Sequence, residues 1–185
     1  MTILIRAHET RDRDGINAVA RAAFAQYERH YDEWPVFIDR IGRLAELAGD
    51  GDLLVAEREG VVVGGVLHVP PGRPCSAIFP VEWSVISMLV VAPDARGRGI
   101  GRRLVAACLR CAMDAGGAAV GLHTSPVMAA ALRMYEAIGF VRDADIAPIN
   151  GVAYGHYRLQ AEEIARAIGR LEGAAEGHPG LGCGN

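Results

Sequence analysis

The chain is predicted to fold as an α/β protein built on a mixed central β-sheet of about six or seven strands, flanked by helices on both faces. Three observations point there. The first half contains β-rich runs joined by turns too short for a crossover, which makes antiparallel hairpins. The second half runs strand, turn, helix, strand, helix, an order that demands a parallel step. Between them Val85 to Val91 is apolar at nearly every position, as expected of a strand covered on both faces.

The elements follow in order. Ile3 to Ala7 reads as a first strand, and the polar stretch Thr10 to Asp14 offers N-cap oxygens for a helix carrying Ile16, Val19, Ala20, Ala23, Phe24 and Tyr27 at helical spacing. A second helix is expected from Pro35, with Phe37, Ile41, Leu44, Leu47 and Ala48 on its apolar face and Gly49 at its end. Leu53 to Glu57 and Val61 to Val69 form a hairpin about Arg58-Glu59-Gly60. The prolines at 70, 71 and 74 cannot join a central ladder, so a loop runs to about Pro80 and is a candidate substrate-facing segment. After Val85 to Val91 come a helix with Ile100, Leu104, Cys108 and Cys111 in its stripe, a strand over Ala118 to His123, and a helix from about Pro126 to Ile138. Val152 to Leu159 is a late strand, and Ala161 to Leu171 makes one more helix before a Gly- and Ala-rich tail. A single domain over residues 1–160, followed by a helix and flexible tail over 161–185, is the expected organisation.

Composition narrows the function. With 185 residues, 51% hydrophobic and 22% charged, the chain can bury a core of its own. A formal net charge of −3 supplies no broad positive field, so no nucleic-acid partner is expected. No apolar run approaches the roughly 20 residues of a membrane span, and Met1 to Arg6 is too short and mixed for a secretory signal. A cytoplasmic location is expected. The cysteines at 75, 108, 111 and 183 are too sparse for a disulfide scaffold. Cys108-x-x-Cys111 lies within a helical pattern with no second Cys or His pair at ligand spacing, so no metal is expected either.

One segment carries chemistry. A strand ending at Val91-Ala92-Pro93 leads into Asp94-Ala95-Arg96-Gly97-Arg98-Gly99-Ile100-Gly101 and then a helix. Glycines let successive backbone N–H groups converge, the helix N-terminus adds partial positive charge, and Arg96, Arg98, Arg102 and Arg103 reinforce the field. Phosphate or pyrophosphate is the expected guest. Gly-x-Gly-x-x-Gly fails because Arg102 stands at its last position, and no Walker motif is present.

The run Met88 to Gly101 resembles the acetyl-CoA motif R-x-x-G-x-G of GNAT N-acetyltransferases, and Leu132-Arg133-Met134-Tyr135-Glu136-Ala137-Ile138-Gly139-Phe140 resembles the family's L-Y-x-x-x-G-F signature downstream. The resemblance implies a GNAT fold, acetyl-CoA as co-substrate without a metal, and acetyl transfer to a primary amine by direct attack. It places the pantetheine arm along Leu89, Val90 and Val91, the pyrophosphate on Arg96, Gly97, Arg98, Gly99, Ile100 and Gly101, and the general acid at Tyr135. Two positions depart from the family. Val85 stands where many members carry a carboxylate base, which leaves Glu82 at the strand entrance and His123 at a strand end as candidates. Met128 stands where a CoA-contacting Asn is frequent. Tyr27, Tyr31, Trp34, Phe79 and Trp83 could line an acceptor site, cover a core edge or make a homodimer contact. A small-molecule amine is the leading acceptor. Protein lysines or N-termini, and a non-catalytic acyl-CoA-binding regulatory module, are the alternatives.

Overall fold

The computed structural model describes residues 2–73 and 77–173. Seven strands form one sheet: β1 (Ile3–Ala7), β2 (Asp52–Arg58), β3 (Val61–Val69), β4 (Ser84–Val91), β5 (Ala119–Thr124), β6 (Val141–Ile149) and β7 (Val152–Gln160). Their spatial order is β1-β2-β3-β4-β5-β7-β6. Every neighbouring pair is antiparallel except β4 and β5. The mixed sheet read from the sequence is therefore present, with β4 at its centre.

Burial explains why the middle strands read as continuous apolar runs. Along β2, Leu53 and Val55 join one core cluster while Leu54 and Ala56 join the other. Helices α1 (Arg13–Phe24) and α2 (Trp34–Ile41) cover the first of these faces. Helices α3 (Ile100–Ala115), α4 (Ala129–Ile138) and α5 (Ile164–Gly173) contribute to the other. Ile164, Ala167, Ile168 and Leu171 of α5 are buried there, so this helix belongs to the core rather than to an appendage. The tail over 174–185 lies outside the described residues.

Two elements differ from expectation. The helical stripe expected to run to Ala48 breaks after Ile41, and Leu44–Gly49 forms a separate 3-10 stretch. Strand β6 was not expected at all. It is an edge strand, exposed at most positions and containing Pro148, so no hydrophobic alternation marks it. The signal that could have found it is the turn: Asn150 (φ 46°) and Gly151 (φ 80°) are both left-handed, the pairing that a two-residue hairpin favours.

The feature that makes a site is a fork. β4 and β5 pair only through Ser84–Val120 and Val85–Gly121. Beyond Val85 the register of β4 against β3 shifts between Ser87 and Val90, and Met88 adopts φ 54°. A bulge of this kind bends its strand and leaves a backbone group out of the ladder. Met88 is unbranched, which lessens but does not abolish the cost of a left-handed conformation.

Candidate active site

Two cavities open where β4 leaves β5. One, of about 490 Å³, runs along Leu89, Val90 and Val91 to Arg96, Gly97, Gly99, Ile100 and Gly101. The other, of about 520 Å³, is walled by Phe24, Phe37, Ile41, Met88, Leu122 and Tyr154, and reaches His123 and Tyr135. Phe24, Leu89, Met128 and Ala131 line both, so the cavities meet at the bulge.

The loop before α3 has the shape of an anion cradle. Gly97 (φ 74°) and Gly99 (φ 73°) are left-handed, and a Cβ on either would meet nothing within 4 Å, so the space above them is open. Gly99 caps α3, whose first N–H groups have no intrahelical partners and lie at the positive end of the helix dipole. Every expected cofactor-loop residue lines this cavity except Arg98, which is exposed.

The arginines divide their work. The Arg96 guanidinium donates to the carbonyls of Ala23 (3.0 Å) and Val91 (3.3 Å), fastening the loop to the end of α1. Arg102 donates to the carbonyls of Arg170 (2.6 Å) and Leu171 (3.3 Å), and Arg103 to that of Ile3 (2.7 Å). Arg102 also lines the cofactor-side cavity, so its charge serves both purposes.

Tyr135 projects from α4 and is nearly buried, packed edge-on against Phe140 with ring centroids 5.6 Å apart. Burial, with a smaller contribution from Cys108, pushes its phenol well above the ordinary value. It therefore stays protonated across the working pH range and has a proton to donate.

His123 closes the other side of the cavity. Burial, and after it the neighbouring His156 ring, hold its imidazole below the ordinary 6.5. Its Nδ1 is buried without a hydrogen-bond partner among the described residues. A neutral ring with an unengaged nitrogen can accept a proton.

Glu82 is not brought to this place. It is exposed at the N-terminal entrance of β4, lines neither cavity, and its carbonyl accepts from Ala118 N (3.1 Å). The fork opens at the opposite end of β4, which is why nearness in sequence to the strand did not carry Glu82 into the cleft. Val85 is buried in the core beneath α1.

The aromatics divide among the alternatives that the sequence left open. Phe79 and Trp83 pack against His156 on the sheet, and an added Cβ on Gly121 would fall 2.7 Å from the Phe79 ring. They seal β5 and β7 rather than line the cleft. Tyr27 lines the cofactor-side cavity. Tyr31 stacks on Phe37 (centroids 4.1 Å) and hydrogen-bonds Tyr154 through the hydroxyls, so it buttresses the wall of the other cavity from behind.

The sequence pattern of the Acetyltransferase (GNAT) family matches residues 15–140. The chain belongs to the GNAT acetyltransferase family. Among curated relatives, it is 34% identical over 104 residues to "Probable N-acetyltransferase family 8 member 5" of Mus musculus, covering 56% of this chain and 44% of that protein. It is 39% identical over 106 residues to a mycothiol acetyltransferase of Sanguibacter keddieii, covering 56% and 33%. The matched stretch thus spans less than half the length of these relatives. Among solved structures, one described as "a putative ACETYLTRANSFERASE from Salmonella typhimurium with its cofactor Acetyl-CoA" superposes with a TM-score of 0.64 at 19% identity, over 87% of this chain and 95% of that one. GNAT enzymes use acetyl-CoA as co-substrate. The open glycine cradle, its arginines and the adjoining cavity fit such a molecule.

Proposed function

We propose that this GNAT protein is an N-acetyltransferase that moves the acetyl group of acetyl-CoA to the primary amine of a small molecule. The observation that carries the reading is the meeting of two cavities at the β4 bulge, one leading to the phosphate cradle and the other to Tyr135 and His123.

The thioester supplies an electrophilic acyl carbon. Backbone of Leu89 to Val91 lies along the path expected for the pantetheine arm, and the loop from Arg96 to Gly101 takes the pyrophosphate. His123 accepts the proton that the attacking amine must lose, in the role first considered for Glu82. As the N–C bond forms and the C–S bond breaks, Tyr135 gives its proton to sulfur, and a backbone N–H of the bulged segment of β4 is assigned to stabilise the charge developing on the acyl oxygen.

The acceptor end supports an amino-acid-like amine. Its walls are largely apolar, and Arg40 lies at the rim with its guanidinium 5.5 Å from the Phe37 ring. Among the described residues Arg40 has no carboxylate partner, so an acidic group on the acceptor would supply one.

The test is acetyl-CoA-dependent release of free thiol against a panel of small amines with and without a carboxylate, with calorimetric CoA binding in parallel. Tyr135→Phe is expected to lower kcat by about 10²-fold or more while leaving CoA affinity within a few-fold. CoA binding without turnover on any amine would favour a regulatory module, and absence of CoA binding would end this reading.

A further inference from the structure

A second cluster of chemically capable side chains lies away from the cleft. Asp52 opens β2 and is the register partner of His68 on β3, and Cys111 reaches them from the penultimate turn of α3. One carboxylate oxygen, one ring nitrogen and the thiol sulfur all lie within 4.8 Å of one another. The fork and the phosphate cradle sit at the other end of both α3 and the sheet, so these groups have no part in acetyl transfer.

The His68 ring is held at both nitrogens. Asp52 Oδ2 is 2.9 Å from Nδ1, and Ser84 Oγ is 3.1 Å from Nε2. The line Asp52–His68–Ser84 has the connectivity of a hydrolytic triad, but Ser84 is fully buried and no substrate can reach it. The same bond to Ser84 is the outer-shell contact that a metal-ligating histidine needs, because it fixes the ring and leaves Nδ1 directed at the cluster.

We propose that Asp52, His68 and Cys111 form a binding site for a thiophilic divalent cation, with zinc the best match. A carboxylate, an imidazole and a thiolate are the three ligand types of zinc sites, and three protein ligands leave a fourth position for water. Metal–ligand bonds of about 2.0–2.3 Å need the ligand atoms about 3.2–3.8 Å apart, which a side-chain adjustment of about 1 Å at half-buried Cys111 or exposed Asp52 supplies. The local charge is favourable as well. The carboxylates of Asp52 and nearby Asp114 give the cluster a negative surrounding that attracts a dication. Binding forms the metal–sulfur bond and releases the thiol proton to solvent.

The site joins the C-terminal half of α3 to the β2–β3 hairpin, which makes it structural in kind. Spacing in the sequence could not find it, because Cys108-x-x-Cys111 does not act as a pair. Cys108 is buried in the core, its sulfur 3.9 Å from the Leu67 carbonyl.

The experiment uses the full chain with Cys75→Ser and Cys183→Ser, stripped by a chelator and titrated with Co2+. A thiolate-to-cobalt band in the near ultraviolet, saturating at one equivalent and displaced by Zn2+, is the expected result. Cys111→Ser abolishes the band, Cys108→Ala keeps it, and Asp52→Asn weakens Co2+ binding by about tenfold or more. No band with the parent chain, or a band that survives Cys111→Ser, overturns the proposal. Both outcomes are independent of whether the protein acetylates an amine.

Discussion

His123 and Asp12 show how single residues carry pH dependence, one of activity and the other of stability, both lost as pH falls. His123 is held low by burial and by His156, so as a base it remains competent below the ordinary imidazole value of 6.5. The acid limb of kcat/KM is expected below 6.5 in the wild type and is expected to vanish, at much lower activity, in His123→Gln. A limb unchanged by that substitution would remove His123 from the reaction. Asp12 works for stability. It accepts from Arg6 at 2.6 and 2.8 Å and from the N–H of Glu9 at 2.8 Å, while Arg6 also grips Glu57. The Arg6 hydrogen bond holds the carboxyl at about 2, below its usual 3.8. A depressed folded-state value stabilises the protein above the unfolded value and is lost as pH falls toward about 2. Denaturant titrations should therefore find Asp12→Asn less stable by about 2 kcal/mol near neutral pH, with the gap closing between about pH 4 and pH 2.

Among the elements, β3 is the most constrained. Its Gly64-Gly65 pair lies between two helices: a Cβ on Gly64 would fall 3.0 Å from the Val90 carbonyl and 3.1 Å from Leu104 of α3. One on Gly65 would fall 2.6 Å from Ile16 of α1. Both helices thus approach the sheet over a two-residue stretch of β3 that carries no side chains. Gly64→Ala should lower stability by about 1–3 kcal/mol, measured by thermal or denaturant unfolding, because backbone on one side cannot yield. Much of this element order was legible beforehand. The glycine loop, the β2–β3 hairpin and the apolar β4 are signalled by local residues, since turns and burial on both faces leave a pattern in the chain itself. β6 was not, because an edge strand with Arg142, Asp143, Asp145 and Pro148 need not alternate. The candidate bases are separated by a different feature. Along the chain Glu82 is the first candidate and His123 the second, and only the end at which β4 and β5 part puts His123 in the cleft and Glu82 outside it. Phe79 and Trp83 were likewise read as possible cleft walls, though Gly121 leaves a flat place on β5 for Phe79 to cover.

At the scale of the whole molecule, two packed layers of helices enclose one sheet, and among the described residues no helix is long and apolar enough to cross a membrane. The halves of that sheet are unequally joined. β5 and β7 pair over their full facing length, whereas β4 and β5 share only two register pairs. The protein is two antiparallel plates with a short seam, and a molecule bridging the fork serves as mortar between them. Without it, amide hydrogens of residues 122–124 and 86–91 should exchange faster than those in the β2–β3 ladder. Saturating CoA, at about a hundred times its Kd, should slow that exchange and raise stability by about 2.7 kcal/mol. Stability and the capacity to hold a cofactor would then be two readings of the same gap, so substitutions that tightened the seam would harden the protein while closing the place where it works.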